Sequence, residues 1–112
     1  MKVIKALTKK PGQDPVEKIF RPSLKNIDKL IGGPMYTVKL LLTTGKKIVI
    51  IYPQDQPNEK YNFTICPTED KNHFIDINGN VIVCGRADDD RLIGVQLTED
   101  ELKELFRCPY EL

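Results

Sequence analysis

Along most of this chain apolar and polar residues alternate in short runs bounded by Gly, Pro and Asn. In two places the apolar residues recur instead at helical spacing. The first helical stretch is Ser23 to Pro34: Leu24, Ile27, Leu30 and Ile31 fall on one face. Ser23 is suited to accept a hydrogen bond from the free amides of the first turn, Gly32 to take the left-handed position after the last, and Pro34 to stop any continuation. A short amphipathic helix is therefore expected, its stripe lying on the hairpin written next. That hairpin runs from Met35 to Leu42, turns at Thr43-Thr44-Gly45-Lys46 and returns from Lys47 to Tyr52. Tyr36, Val38, Leu40 and Leu42 alternate with Thr37, Lys39 and Leu41, which predicts one apolar and one mixed face and places Tyr36 and Tyr52 in the core. Ile48-Val49-Ile50-Ile51 is apolar on both sides, the mark of a central strand covered on each face.

The remaining elements read as β apart from the last. Lys2–Thr8 and Val16–Phe20, joined across the Pro11-Gly12 turn cluster, predict a hairpin ahead of the helix. Pro53–Asn62 is polar and carries two prolines; Phe63–Cys66 is a brief strand, and Pro67–Asn72 another polar connection. Phe74–Ile77 leads into the turn Asn78-Gly79-Asn80, and Val81–Cys84 is strongly β-prone before Gly85. A charged loop, Arg86–Asp90, precedes a last strand at Arg91–Gln96. The second helix begins with a capping box, Thr98 and Glu101, with Leu97 and Leu102 as its staple and Leu102, Leu105 and Phe106 as its buried stripe. Glu99, Asp100 and Glu101 suit the positive end of its dipole, and Pro109 marks its end. These elements predict a single α+β domain over residues 1–112, one mainly antiparallel sheet with two short helices packed on it.

Composition narrows the class. At 112 residues, 40% hydrophobic and 29% charged, the chain has the length and make-up of one globular domain. No apolar run approaches the roughly 18–20 residues of a membrane span, and the N-terminus lacks the long apolar core of a signal peptide, so no membrane role and a cytoplasmic location are expected. Cys66, Cys84 and Cys108 are odd in number with no C-x-x-C pair, which predicts reduced thiols rather than a disulfide framework or zinc site. Charge is unevenly spread: Met1–Gln56 has 11 Lys/Arg against 4 Asp/Glu, giving +7, and Pro57–Leu112 has 6 against 12, giving −6. Such a division suits an anionic partner or association between copies, unless the fold mixes the halves.

Candidate chemistry is sparse. His73, the sole histidine, stands near Cys66 and Asp76 in sequence, but no nucleophile signature surrounds Cys66. Asp76-Ile77-Asn78-Gly79-Asn80 fails as a calcium loop, having glycine at the fourth position and Ala87 at the twelfth. Asp88-Asp89-Asp90 reads as a solvated acidic turn, and Gly32-Gly33 follows a helix instead of opening one onto a phosphate.

At Leu30-Ile31-Gly32-Gly33, Ile48–Ile51, Gly79–Gly85 and Leu97-Thr98-Glu99-Asp100-Glu101 the chain resembles an uncharacterised family of small bacterial, plasmid and phage proteins, known as a domain of unknown function. The family shares an order of N-terminal strands, a helix ending in two glycines, a strand, a polar loop, a strand closed by glycine and a short helix capped in L-T-x-E style. Its typical members carry an acidic loop with Gly and Asn after the fourth strand, where this chain departs with Pro53-Gln54-Asp55-Gln56-Pro57-Asn58. The resemblance implies a mobile-element context and brings no catalytic residues.

The functional expectation is a small accessory or regulatory protein that binds another macromolecule, protein rather than nucleic acid, with no catalysis and no cofactor. Its expected contact surfaces are Gln54, Asp55, Gln56 and Asn58 in the polar connection and Asp88, Asp89 and Asp90 in the acidic turn, since loops on a rigid sheet commonly carry binding. The alternative is nucleic-acid binding through Lys9, Lys10, Lys39, Lys46 and Lys47, with Tyr36, Tyr52, Tyr61 and Phe63 as stacking surfaces. Against it, the RNP aromatic pattern is missing and Arg21 is the one arginine of that half.

Overall fold

The computed structural model describes residues 3–54, 60–65 and 75–106. Strands β1 (Ile4–Lys9) and β2 (Val16–Phe20) form the first hairpin, followed by helix α1 (Leu24–Ile31) and the β3 (Met35–Leu41) and β4 (Lys47–Pro53) hairpin. Strands β5 (Tyr61–Ile65) and β6 (Ile75–Asn78) pair with each other, and β7 (Val81–Arg86), the two-residue β8 (Leu92–Ile93) and helix α2 (Glu99–Leu105) complete the chain. The main sheet has the order β2-β1-β7-β4-β3 with β8 also on β7, and every pairing is antiparallel. The α+β architecture expected from the sequence is the one observed, with one correction: β5 and β6 form a separate two-stranded sheet.

Period-2 alternation gives the sheet two apolar faces. On one, Leu7, Leu40, Ile48, Ile50 and Val83 meet Phe63, Ile65 and Ile77 of the small sheet and Leu105 of α2. On the other, Ile4, Ala6, Val49, Ile51, Ile82 and Cys84 meet Ile27 and Ile31 of α1. The central position of β4 is explained by its run of four branched residues, each 5% exposed or less. Burial drives the Cys84 thiol up to about 12, leaving it protonated and inert.

Helix α1 carries the chain from the β2 edge to the β3 edge. Ser23 accepts a hydrogen bond from the Asn26 amide, and Gly32 closes the helix at φ 90° with its N–H donating to the Asp28 carbonyl. The helix lies over β4 of the expected hairpin and also over β7, because β7 enters the sheet between β1 and β4. Leu24, on the predicted stripe, is 75% exposed at the first helical position. Tyr36, expected in the core, is 50% exposed because β3 is an edge strand; it leans on buried Tyr52 with ring centroids 5.9 Å apart.

The last strand is shorter than Arg91–Gln96. After Ile93 the chain turns towards β1, and the Val95 N–H donates to the Lys5 carbonyl. This brings the Gly94 carbonyl oxygen to 2.6 Å from where a β-carbon on Gly85 would stand, so Gly85 is required by close backbone approach. Gly85→Ala is expected to cost about 1–3 kcal/mol, the usual range for overpacking, read as a lowered midpoint in denaturant unfolding.

Helix α2 is fastened by its acids. Thr98 and Glu101 make the predicted capping box: the Glu101 amide donates to Thr98 Oγ1 at 3.2 Å and the Thr98 amide to Glu101 Oε1 at 2.9 Å. Glu101, 2% exposed, also accepts from Lys46 Nζ at 2.7 Å and from the Thr44 hydroxyl, while Glu104 accepts from the Thr43 amide and hydroxyl. The β3–β4 turn is thereby tied to the helix. Among the described residues no helix is long and apolar enough to cross a membrane.

Candidate binding groove

Beyond the end of β1, the loop running from Lys10 to Pro15 stands away from α2 and leaves an open groove of about 630 Å³ between them. Leu102 and Phe106 on the helix side and Pro15 on the loop side give it an apolar lining. Charged groups of both signs line it as well: Lys9 and Lys103, Asp14 and Glu99.

Lys9 is the most constrained of them. Alternation points it to the same face as Leu7, where its ammonium donates to Asn62 Oδ1 at 2.6 Å. Asn62 is itself buried, and its amide nitrogen donates to the Lys9 and Gly79 carbonyls at 3.0 and 2.8 Å, so its oxygen is fixed towards the ammonium. The ammonium also lies 5.9 and 5.8 Å from the ring centroids of Phe63 and Phe106, which meet edge to face at 4.8 Å. Desolvation by this apolar wall lowers the Lys9 pKa, and the Asp14 carboxylate acts in the opposite direction. Among the described residues Asn62 Oδ1 is the sole hydrogen-bond acceptor of the ammonium.

The other lysines are committed elsewhere. Lys39 and Lys47 lie on the opposite face, paired with Asp90 at 3.2 Å and Asp88 at 2.7 Å, and Lys46 holds Glu101 and the Gln96 carbonyl. Lys10 is exposed on the loop. These five lysines therefore form no single stripe along which a phosphate backbone would run.

The acidic turn is likewise internally engaged. Hydrogen bonds lower the pKa of each aspartate: from Lys47 to Asp88, from Arg91 to Asp89, and from Arg86 and then Lys39 to Asp90. Because each carboxylate turns to a different cation, the three do not converge, and among the described residues no three His, Cys, Asp or Glu side chains are grouped as metal ligands. In the polar connection Gln54 is exposed, its amide nitrogen donating to the Met35 carbonyl at 3.1 Å. Asp55, Gln56 and Asn58 lie outside the described residues, as do Cys66, His73 and Cys108. Asp76, the third member of the set considered around His73, accepts a hydrogen bond from Thr64 at 2.9 Å.

Sequence reasoning singled out Lys9 but neither Asn62 nor the groove. A usable signal existed: in Tyr61-Asn62-Phe63-Thr64-Ile65 an asparagine stands inside a run otherwise suited to a buried strand, and a buried amide must find partners. No family model, no curated protein and no solved structure matches the chain, so any role has to be argued from this geometry.

Proposed function

We propose that this protein is a binding module that takes a segment of another polypeptide into the groove between the β1–β2 loop and α2, without catalysis and without a cofactor. The observation that supports it is the Lys9 ammonium, steered by a fully committed Asn62 and walled by two phenyl rings, with no second acceptor among the described residues to take its other donors. A carboxylate on the incoming segment suits those donors, and an apolar neighbour suits Leu102 and Phe106. With two cations and two carboxylates among the described residues around the groove, a mixed-charge peptide fits better than a polyanion. The internal pairing of Lys39, Lys46 and Lys47 argues in the same direction against a nucleic acid.

Random peptides displayed against the purified protein test this reading. The expected selection is peptides with an acidic residue beside an apolar one. Replacing Lys9 by Gln should weaken the best of them roughly 10- to 100-fold, the loss of a hydrogen bond to a charged group, with the circular dichroism unchanged. No enrichment, or enriched peptides indifferent to Lys9→Gln, would refute the groove. A nucleic-acid partner would instead show affinity falling log-linearly and steeply with salt.

A further inference from the structure

Strand β2 is an edge, and four of its five residues are exposed, including Val16 at 60% and Ile19 at 66%. Its pairing with β1 shows which backbone groups face outward, and among the described residues no strand pairs with them. The Lys5 carbonyl accepts from Val95 on the β7 side, so Lys5 turns its polar groups away from β2 and its partner Ile19 turns its own away from β1. By the same alternation Glu17 also presents its N–H and C=O outward. Exposed edges of this kind are templates for another strand unless something blocks them.

We infer that this edge pairs with the same edge of a second copy of the chain, antiparallel and centred on Ile19. A two-fold axis perpendicular to the joined sheet sets one residue of β2 opposite its own copy. Centring on Glu17 or on Lys18 would oppose like charges. Centring on Ile19 opposes two exposed isoleucines whose backbone groups both face outward, and it sets each Glu17 opposite the exposed Arg21 of the partner. The ladder is short, since the Arg21 carbonyl already accepts from the Ser23 amide and from Asn26 Nδ2. A strand of five residues also buries far less than the roughly 800 Å² per partner of a standard interface, so the dimer is weak and needs high concentration.

The register supplies the test. Residues directly opposite in a hydrogen-bonded antiparallel pair have Cα atoms about 5.5 Å apart, within reach of a disulfide. Ile19→Cys under mild oxidation at about 1 mM protein is expected to give a covalent dimer at least about 10-fold faster than Val16→Cys, with the 19–19 linkage identified by peptide mass. Sedimentation of the unmodified chain should show association rising towards the same concentration. Glu17→Arg should weaken that association, and Glu17→Arg combined with Arg21→Glu should restore it. Equal cross-linking at the two positions, failure of the double variant to restore association, or a chain that stays monomeric at 1 mM and leaves its edge to a foreign strand would each overturn the inference.

Discussion

Phe63→Ala is expected to lower the unfolding free energy by about 3–5 kcal/mol, a large part of the roughly 5–15 kcal/mol available to a domain of this size. Phe63 is 1% exposed and lies where three parts of the fold meet. It belongs to the β5–β6 hairpin, it packs in the core formed on one face of the main sheet, and its ring meets Phe106 at the end of α2. An isolated two-stranded sheet is marginal in water, so the hairpin depends on this packing rather than on its own ladder. Truncation therefore does more than leave a cavity: it loosens β5, and with it Asn62 and the Lys9 ammonium it steers. Phe63→Leu, which retains most of the apolar volume, should cost much less. Chemical denaturation measures both. A loss below about 1 kcal/mol for the alanine variant would contradict the packing described for the hairpin.

The elements that could be read in advance are those whose ends carry their own chemistry. Ser23 and Gly32 bound α1, and Thr98 with Glu101 opens α2, because caps satisfy local backbone groups and need no distant partner. The apolar run of β4 declared its two-sided burial for the same local reason. What local pattern does not encode is who pairs with whom. Tyr36 and Tyr52 share one alternation and one register pair, yet one is buried and the other half-exposed, a difference made by which strand ends at the edge. The insertion of β7 between β1 and β4 decides where α1 lies, and it depends on pairing across more than seventy positions. The groove was hidden similarly: Lys9 and Asn62 are 53 positions apart, and the opposite wall comes from α2.

The division of charge between the two halves has a structural outcome of its own. Lys39, Lys46 and Lys47 from the basic half meet Asp90, Glu101 and Asp88 from the acidic half, so part of the asymmetry is spent in joining β3 and β4 to the segments that follow β7. Most of these pairs are exposed and contribute little individually. Their bearing on function is that the acidic turn and the basic hairpin already have partners. Lys9 differs because it is held by a neutral amide and by rings.

Glu101 is the exception among these pairs, and stability is expected to depend on its ionisation. Hydrogen bonds from Lys46, Thr44 and Thr98 lower its pKa from 4.5 to about 2. A carboxylate whose pKa is lower in the folded chain binds more protons when unfolded, so its contribution is fully present above about pH 4.5 and is lost as pH falls towards 2. Glu101→Gln should therefore be less stable than the wild type at neutral pH, and the two should converge in acid. Among the described residues, Asp88, Asp89 and Asp90, whose pKa values are also lowered, would give the variant a residual slope. The deficit at neutral pH should exceed that of Thr98→Ala, which removes a helix cap but leaves the carboxylate its bonds to Thr44 and Lys46. Loss of the Glu101 carboxylate weakens the capping box and the hold on Thr44 and Lys46 together. Denaturant midpoints measured from neutral pH down to pH 2 decide the matter. Parallel profiles for the wild type and Glu101→Gln would mean that the tie between α2 and the β3–β4 turn does not require a charged Glu101, and that the Glu104–Thr43 hydrogen bonds and the packing of Leu102, Leu105 and Phe106 hold the helix without it.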